Sequence, residues 1–308
     1  PPRFFFHPAP GIPDPLWSRG LGDVYKRQYT NSGIFVFKSE KIYCTAKIYI
    51  LFLWKILCLY QFYRRFDMAD KIKKGDWSAQ TTAILLIVAA ILVILFNSLG
   101  PVNAANAFDF GFSPDNTAGV IAAVSGNESN AQLFGVLLVI SSLLIPLSVS
   151  GISRICQDDP GRKWAAFGFM CTVISVSIWA VTNGITAAMA DAVSSFGQAS
   201  AAGAAGAAAA GAAGAAIAVM NGIALGSHQM ATMIFMIGNF SLGIGMSTSG
   251  AFNSILSRLI ALTGLVSTIL VLVFPLSSDP GFAIVGILFL VISILWILTG
   301  VTMLRATR

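Results

Sequence analysis

His228 is the only histidine after Met68, which makes it the first candidate for acid–base or metal chemistry. Zinc and most transition-metal sites need three or four ligands, usually several His or Cys together. Cys156 and Cys171 lie fifteen residues apart and form neither a CxxC pair nor an expected disulfide. Met230, Met233 and Met236 stand near His228, and thioethers favour Cu(I). A spacing of three drifts around a helix, however, so these sulfurs do not readily meet one ion. No phosphate loop, nucleophile elbow or HExxH sequence occurs. The residues therefore predict no metal and no cofactor, and an enzymatic reading rests on His228 alone.

Polar residues with helical spacing carry the stronger signal. His228, Thr232, Asn239 and Gly243 fall close to one face of a helix, because eleven residues make almost three turns. Asn183, on the preceding span, is placed to meet them. Two readings stand open: hydrogen bonds between packed helices, or a small solvated pocket or pathway opening outward. The same helix holds the small-xxx-small pairs Ser241/Gly245, Gly243/Ser247 and Gly245/Ser249, which permit close backbone approach and predict a central position for it.

The elements that must position these residues follow from composition. Of 308 residues, 56% are hydrophobic and 10% charged, where a soluble domain has about 25% charged residues. This excludes an ordinary soluble enzyme and a disordered chain, and it predicts an all-α, polytopic transmembrane helix bundle. Six apolar runs are long enough to span: about 77 to 96, 133 to 152, 164 to 190, 228 to 252, 259 to 274 and 282 to 304. Short cytoplasmic loops carry the excess of Lys and Arg. With both termini cytoplasmic, every base after Met68 falls on that side. Asp109, Asp115, Glu128, Asp191 and Asp279 all fall on the other. No Asp, Glu, Lys or Arg lies deep in a span, which argues against ion-coupled transport of the usual kind.

The tract Ala199 to Ala216 contains only Ala, Gly and one Ser. It lacks the Leu, Ile, Phe and Val that favour insertion by roughly 0.3 to 0.6 kcal/mol each, and a seventh span would carry Arg258 or Arg305 outside. It is expected to be an extracytoplasmic insertion at about 192 to 222, either a frayed surface helix or a disordered loop, since Ala favours helix and the interspersed Gly opposes it. Close helix packing through small residues is the alternative.

Residues 1 to 67 differ in kind from the rest. They hold ten bases against four acids, which is the entire net charge of +6. Ser18 to Gln28 resembles the in-frame translation of a transposon-based sequencing adapter, and Tyr29 to Asp67 has the Lys, Ile, Tyr and Phe crowding of AT-rich noncoding DNA. The segment is expected to be an artefactual leader, with Met68 as the start of the membrane domain 68 to 308. The rival is a signal anchor at Ile48 to Tyr63, short for a span and interrupted by Lys55.

The six-span pattern resembles a family of uncharacterised prokaryotic membrane proteins, a domain of unknown function. The residues carrying it are Leu143 to Ser148 before a basic turn, His228 opening the fourth helix, and Gly250 with Ser257 and Arg258 before the fifth. The final helix ending in Arg305 completes the pattern. The resemblance implies a six-helix membrane fold and no known activity. The expected function is a non-enzymatic bundle in the cell (inner) membrane of a prokaryote, binding a small molecule, lipid or partner at its outer face. The alternative is a transporter of a neutral solute along the fourth helix. The expected partners are the lipid bilayer and, compatibly, further copies of the chain; nucleic acid is not among them.

Overall fold

The computed structural model describes residues 77–101 and 116–307. The proposed leader, Asp109, Asp115 and the bases before Trp77 lie outside the described residues. Seven α-helices are present among those described: α1 (Trp77–Leu99), α2 (Thr117–Val124), α3 (Glu128–Ile155), α4 (Arg162–Ala201), α5 (Ala207–Ser249), α6 (Ser254–Val273) and α7 (Asp279–Thr307). Six are long and apolar enough to cross a membrane, all but the short α2.

These six form a closed ring. Each packs against its neighbours in the sequence, and α7 returns to pack against α1. Because consecutive helices run antiparallel, Arg154, Arg162, Lys163, Arg258 and Arg305 gather at one end, called here the basic end. The outward faces are apolar at helical spacing, as on α3, where Leu133, Val136, Ile140, Leu143 and Leu147 are all exposed. The inward faces hold the hydroxyls. Ser142 and Ser148 of α3, and Thr172, Ser175 and Thr182 of α4, are buried and donate to the carbonyl three or four residues earlier. Each hydroxyl thus satisfies its donor within its own helix.

α5 is central in the sense its small residues predict, packing on α4 along one face and α6 along another. Gly168 and Gly238 oppose each other across α4 and α5: a Cβ on Gly168 would stand 2.7 Å from the Gly238 carbonyl oxygen, and one on Gly238 would stand 2.9 Å from Cys171 Cβ. Gly245 meets Ala165 in the same way, and Gly243 meets the backbone of α6 at Ser257 and Ala261. Ser241 Oγ adds a hydrogen bond of 2.7 Å to the Trp164 carbonyl. Ser247 and Ser249 donate to carbonyls of their own helix. Beyond Ser249 the helix stops at Gly250, whose φ of 68° is left-handed and free of strain only for a residue without Cβ. Asn253 then caps α6, its Oδ1 accepting from the amides of Ile255 and Leu256.

The region about 192 to 222 departs from the expected loop or frayed helix. α4 continues past Asp191 to Ala201, a 3-10 turn occupies Gly203–Gly206, and α5 begins at Ala207 rather than near His228. Two physical causes combine. Alanine has the highest helix propensity, and its surplus here outweighs the scattered glycines. Val193 and Ile217, one from each arm, are also buried in a cluster with Val120, Val124, Ala131, Met189 and Ala190, and Phe196 packs against it. Asp191 does not terminate a helix: its Oδ1 accepts from Gln132 Nε2 of α3 at 2.6 Å. The arms have 40 and 43 residues. At a rise of about 1.5 Å per residue each is some 60 Å long, about twice the hydrocarbon thickness.

Candidate functional site

Inside the ring lies a cavity of about 320 Å³, lined on α5 by Asn221 to Phe235, away from the basic end, and reaching Ser148 and Val149 on α3. Every spanning helix except α6 contributes to its wall, and Val120 and Val124 of α2 lie at its rim. α1 and α3 supply a mainly apolar side, with Leu86, Val93, Ile94, Phe134, Leu138 and Ile145. The facing side is mixed: Thr182, Asn183 and Thr186 of α4, and Asn221 and His228 of α5. Among the described residues, none of the lining side chains is Asp, Glu, Lys or Arg.

An aromatic cluster stands where α4, α5 and α7 meet. Ring centroids of Trp179 lie 5.9 Å from His228, 5.0 Å from Phe235 and 5.4 Å from Phe289. Phe289 in turn lies 6.3 Å from His228 and 6.0 Å from Phe235, closing the group. The spacings fall within the range of favourable aromatic pairs. All four rings line the cavity. The Trp179 indole Nε1 is buried and has no hydrogen-bond partner among the described residues.

The cavity floor has an identifiable clasp. Asn239 is fully buried; its Nδ2 donates to the Phe235 carbonyl at 2.9 Å, and its Oδ1 accepts from Trp296 Nε1 of α7 at 3.0 Å. α5 and α7 are not neighbours in the ring, so this bond reaches past α6. Trp296 lines the cavity and Asn239 does not. Toward the basic end, the interior is filled by the fully buried side chains of Ile152, Leu242, Met246, Ile260 and Met303. Counting residues back from Ser249 places Asn239 about 15 Å and His228 about 31 Å along α5 from that end.

The polar residues singled out in the sequence thus divide. His228 and Asn183 come together on the cavity wall, and neither side chain makes a hydrogen bond among the described residues. His228 lies mid-helix in α5 rather than opening it. Thr232 is fully buried away from the cavity with its hydroxyl unpaired. Asn239 bonds to its own helix and to Trp296 of α7, and Gly243 is pressed against α6. The methionines diverge, with Met230 exposed and Met236 fully buried. Cys156 and Cys171 are buried and form no disulfide with each other. Among the described residues no three His, Cys, Asp or Glu side chains gather as a metal site would require.

Trp179, Phe235, Phe289, Trp296 and Asn221 were not singled out from the sequence. A signal exists for them: Asn221, His228 and Phe235 recur every seven residues on α5, as do Phe282, Phe289 and Trp296 on α7. Such spacing defines one helix face. It does not say that the faces of α4, α5 and α7 look into the same space. No family model, curated protein or solved structure matches this chain.

Proposed function

We propose that the chain is a cell-membrane protein, with both termini cytoplasmic and the cavity mouth outward, that binds a small, neutral, predominantly apolar molecule and does not transform it. The observation carrying this reading is the cavity itself: about 320 Å³, with His228 the one ionisable side chain among its described lining residues and a few polar groups on one wall. Ligand pockets have this composition and run from about 300 Å³ upward. A charged ligand would find no counter-ion there. The placement of bases favours the stated orientation, and the prokaryotic inner membrane accords with the family resemblance. The rival, a solute pathway along the fourth span, is disfavoured because Thr232, Asn239 and Gly243 are not exposed to the cavity, and Asn239 and Gly243 are taken up in helix contacts.

The test uses Gly286, which lines the cavity and where an added Cβ meets nothing within 4 Å. Gly286→Leu adds apolar volume at the cavity wall from a position where the Cβ itself displaces no neighbour. Native mass spectrometry of the wild-type protein, purified in mild detergent, is expected to show a co-purifying neutral molecule. Gly286→Leu is expected to lose it, by about tenfold in occupancy or more, at unchanged or raised thermal stability, since leucine is the better helix former. Equal occupancy in the two proteins would remove the cavity from the account.

A further inference from the structure

The reading that the cavity binds a neutral ligand leaves the ligand's own chemistry open, and the aromatic cluster narrows it. Trp179 is about 6% exposed, and its Nε1 is a donor without an acceptor. A buried, unsatisfied donor is disfavoured unless something that enters the site completes it. Indole nitrogen donates only, so its complement is an acceptor. Beside it stand the His228 ring at 5.9 Å and, on the same wall, the Asn183 amide, which makes no hydrogen bond among the described residues. Opposite lies the apolar wall of α1 and α3.

Resting on that reading, we infer that the cavity takes an amphiphile with a carbonyl-type oxygen, as in a ketone, ester or quinone, which accepts from Trp179 Nε1 while its aliphatic body lies against α1 and α3. The oxygen reaches Nε1 from the cavity side when the His228 or Phe289 ring moves aside, and His228 and Asn183 offer it or a second oxygen further hydrogen bonds. An aromatic group of this kind suggests a cation as rival occupant. The four rings pack against one another at 5.0 to 6.3 Å, filling the space a cation would need, and no acidic side chain among the described residues lines the site.

The experiment compares probes of one chain length on the full-length protein in detergent, with affinity read from tryptophan fluorescence and isothermal titration. The probes are dodecane, 2-dodecanone, methyl laurate, dodecyl-benzoquinone and dodecyltrimethylammonium. The carbonyl probes are expected to bind about tenfold tighter than dodecane, as one hydrogen bond to an otherwise unsatisfied donor provides. The ester and quinone arms show whether an acyl lipid or a free carbonyl compound is preferred. In Trp179→Phe, which keeps a ring and loses the donor, the advantage is expected to vanish while dodecane binding persists. Equal affinity of dodecane and 2-dodecanone for the wild-type protein, or tightest binding of the ammonium probe, overturns the inference and leaves the cavity reading standing. Failure of the wild-type protein to bind any probe overturns the cavity reading instead. A measurement independent of the variant's folding is the indole N–H spectrum of the wild-type protein. One resonance is expected to move downfield with 2-dodecanone and not with dodecane, and its absence defeats the assignment.

Discussion

Replacing Gly243 with leucine is expected to prevent the ring from assembling. A Cβ at this position would lie 2.6 Å from the Ser257 carbonyl oxygen and 2.7 Å from Ala261 Cα, backbone atoms that no rotamer change can move. Gly264 of α6 makes the reciprocal approach, its Cβ position lying 2.7 Å from the Met236 carbonyl oxygen. The two helices are therefore in backbone contact over several turns, and any side chain inserted there must push them apart. Overpacking a well-packed core costs about 1 to 3 kcal/mol even where side chains can adjust; here none can, and separation of α5 from α6 also loses the dispersion contacts that hold membrane helices together. Gly243→Ala is expected to lower stability by about 3 kcal/mol. Gly243→Leu is expected to yield no monodisperse protein by size-exclusion chromatography. Gly226→Leu on the same helix is the control. A Cβ there meets nothing within 4 Å, and its effect should stay within about 0.5 kcal/mol of zero.

The second large effect concerns the clasp at the cavity floor. Asn239→Leu keeps the branched shape of asparagine but leaves Trp296 Nε1 buried without its acceptor. Stranding a buried donor costs about 1 to 3 kcal/mol, so the unfolding free energy in a denaturing-detergent titration should fall by roughly 2 kcal/mol. Trp296→Phe alone strands the Asn239 carbonyl oxygen and should fall by a similar amount. The double variant removes both halves of the bond. It is expected to recover at least about 1 kcal/mol relative to the sum of the two single losses. Additive losses would show that the 3.0 Å contact contributes nothing specific. Ligand occupancy serves as a second readout: with the floor's aromatic ring freed, dissociation should quicken even in variants that remain folded.

How much of this was written legibly in the chain depends on which physical signal each feature leaves. The six spans follow from hydropathy, which is local and strong; the centrality of α5 follows from Ser241, Gly243 and Gly245, whose small side chains have no other use at that density. The extension of α4 and α5 left a weaker trace. Between Ala199 and Ala216 there is no large side chain to show a period, and only Val193, Phe196 and Ile217, isolated on either side, mark the face that packs on α2. The candidate site was half legible. His228 and Asn183 stand out because polar residues in spans are costly. Trp179, Phe289 and Trp296 do not stand out, because aromatic residues in an apolar helix are ordinary until ring closure by α7 and α1 sets them facing one space. Asn239 carried the polar signal and belongs to the packing, since its partner Trp296 lies 57 residues away on a helix not adjacent to its own.

The central claim is that a cavity enters the ring from the end away from the arginines and stops at the Asn239–Trp296 bond. Single cysteines placed along α5 and treated with a membrane-impermeant maleimide test it most directly, with Cys44 and Cys58 replaced by serine and the native Cys156 and Cys171 buried. The account predicts labelling at Asn221, Leu225 and His228, weak labelling at Phe235, and none at Thr232, Asn239 or Gly243. Modification at Asn239 or Gly243 at a rate like that of His228 would mean a continuous aqueous path through the bundle, and would contradict the closed floor.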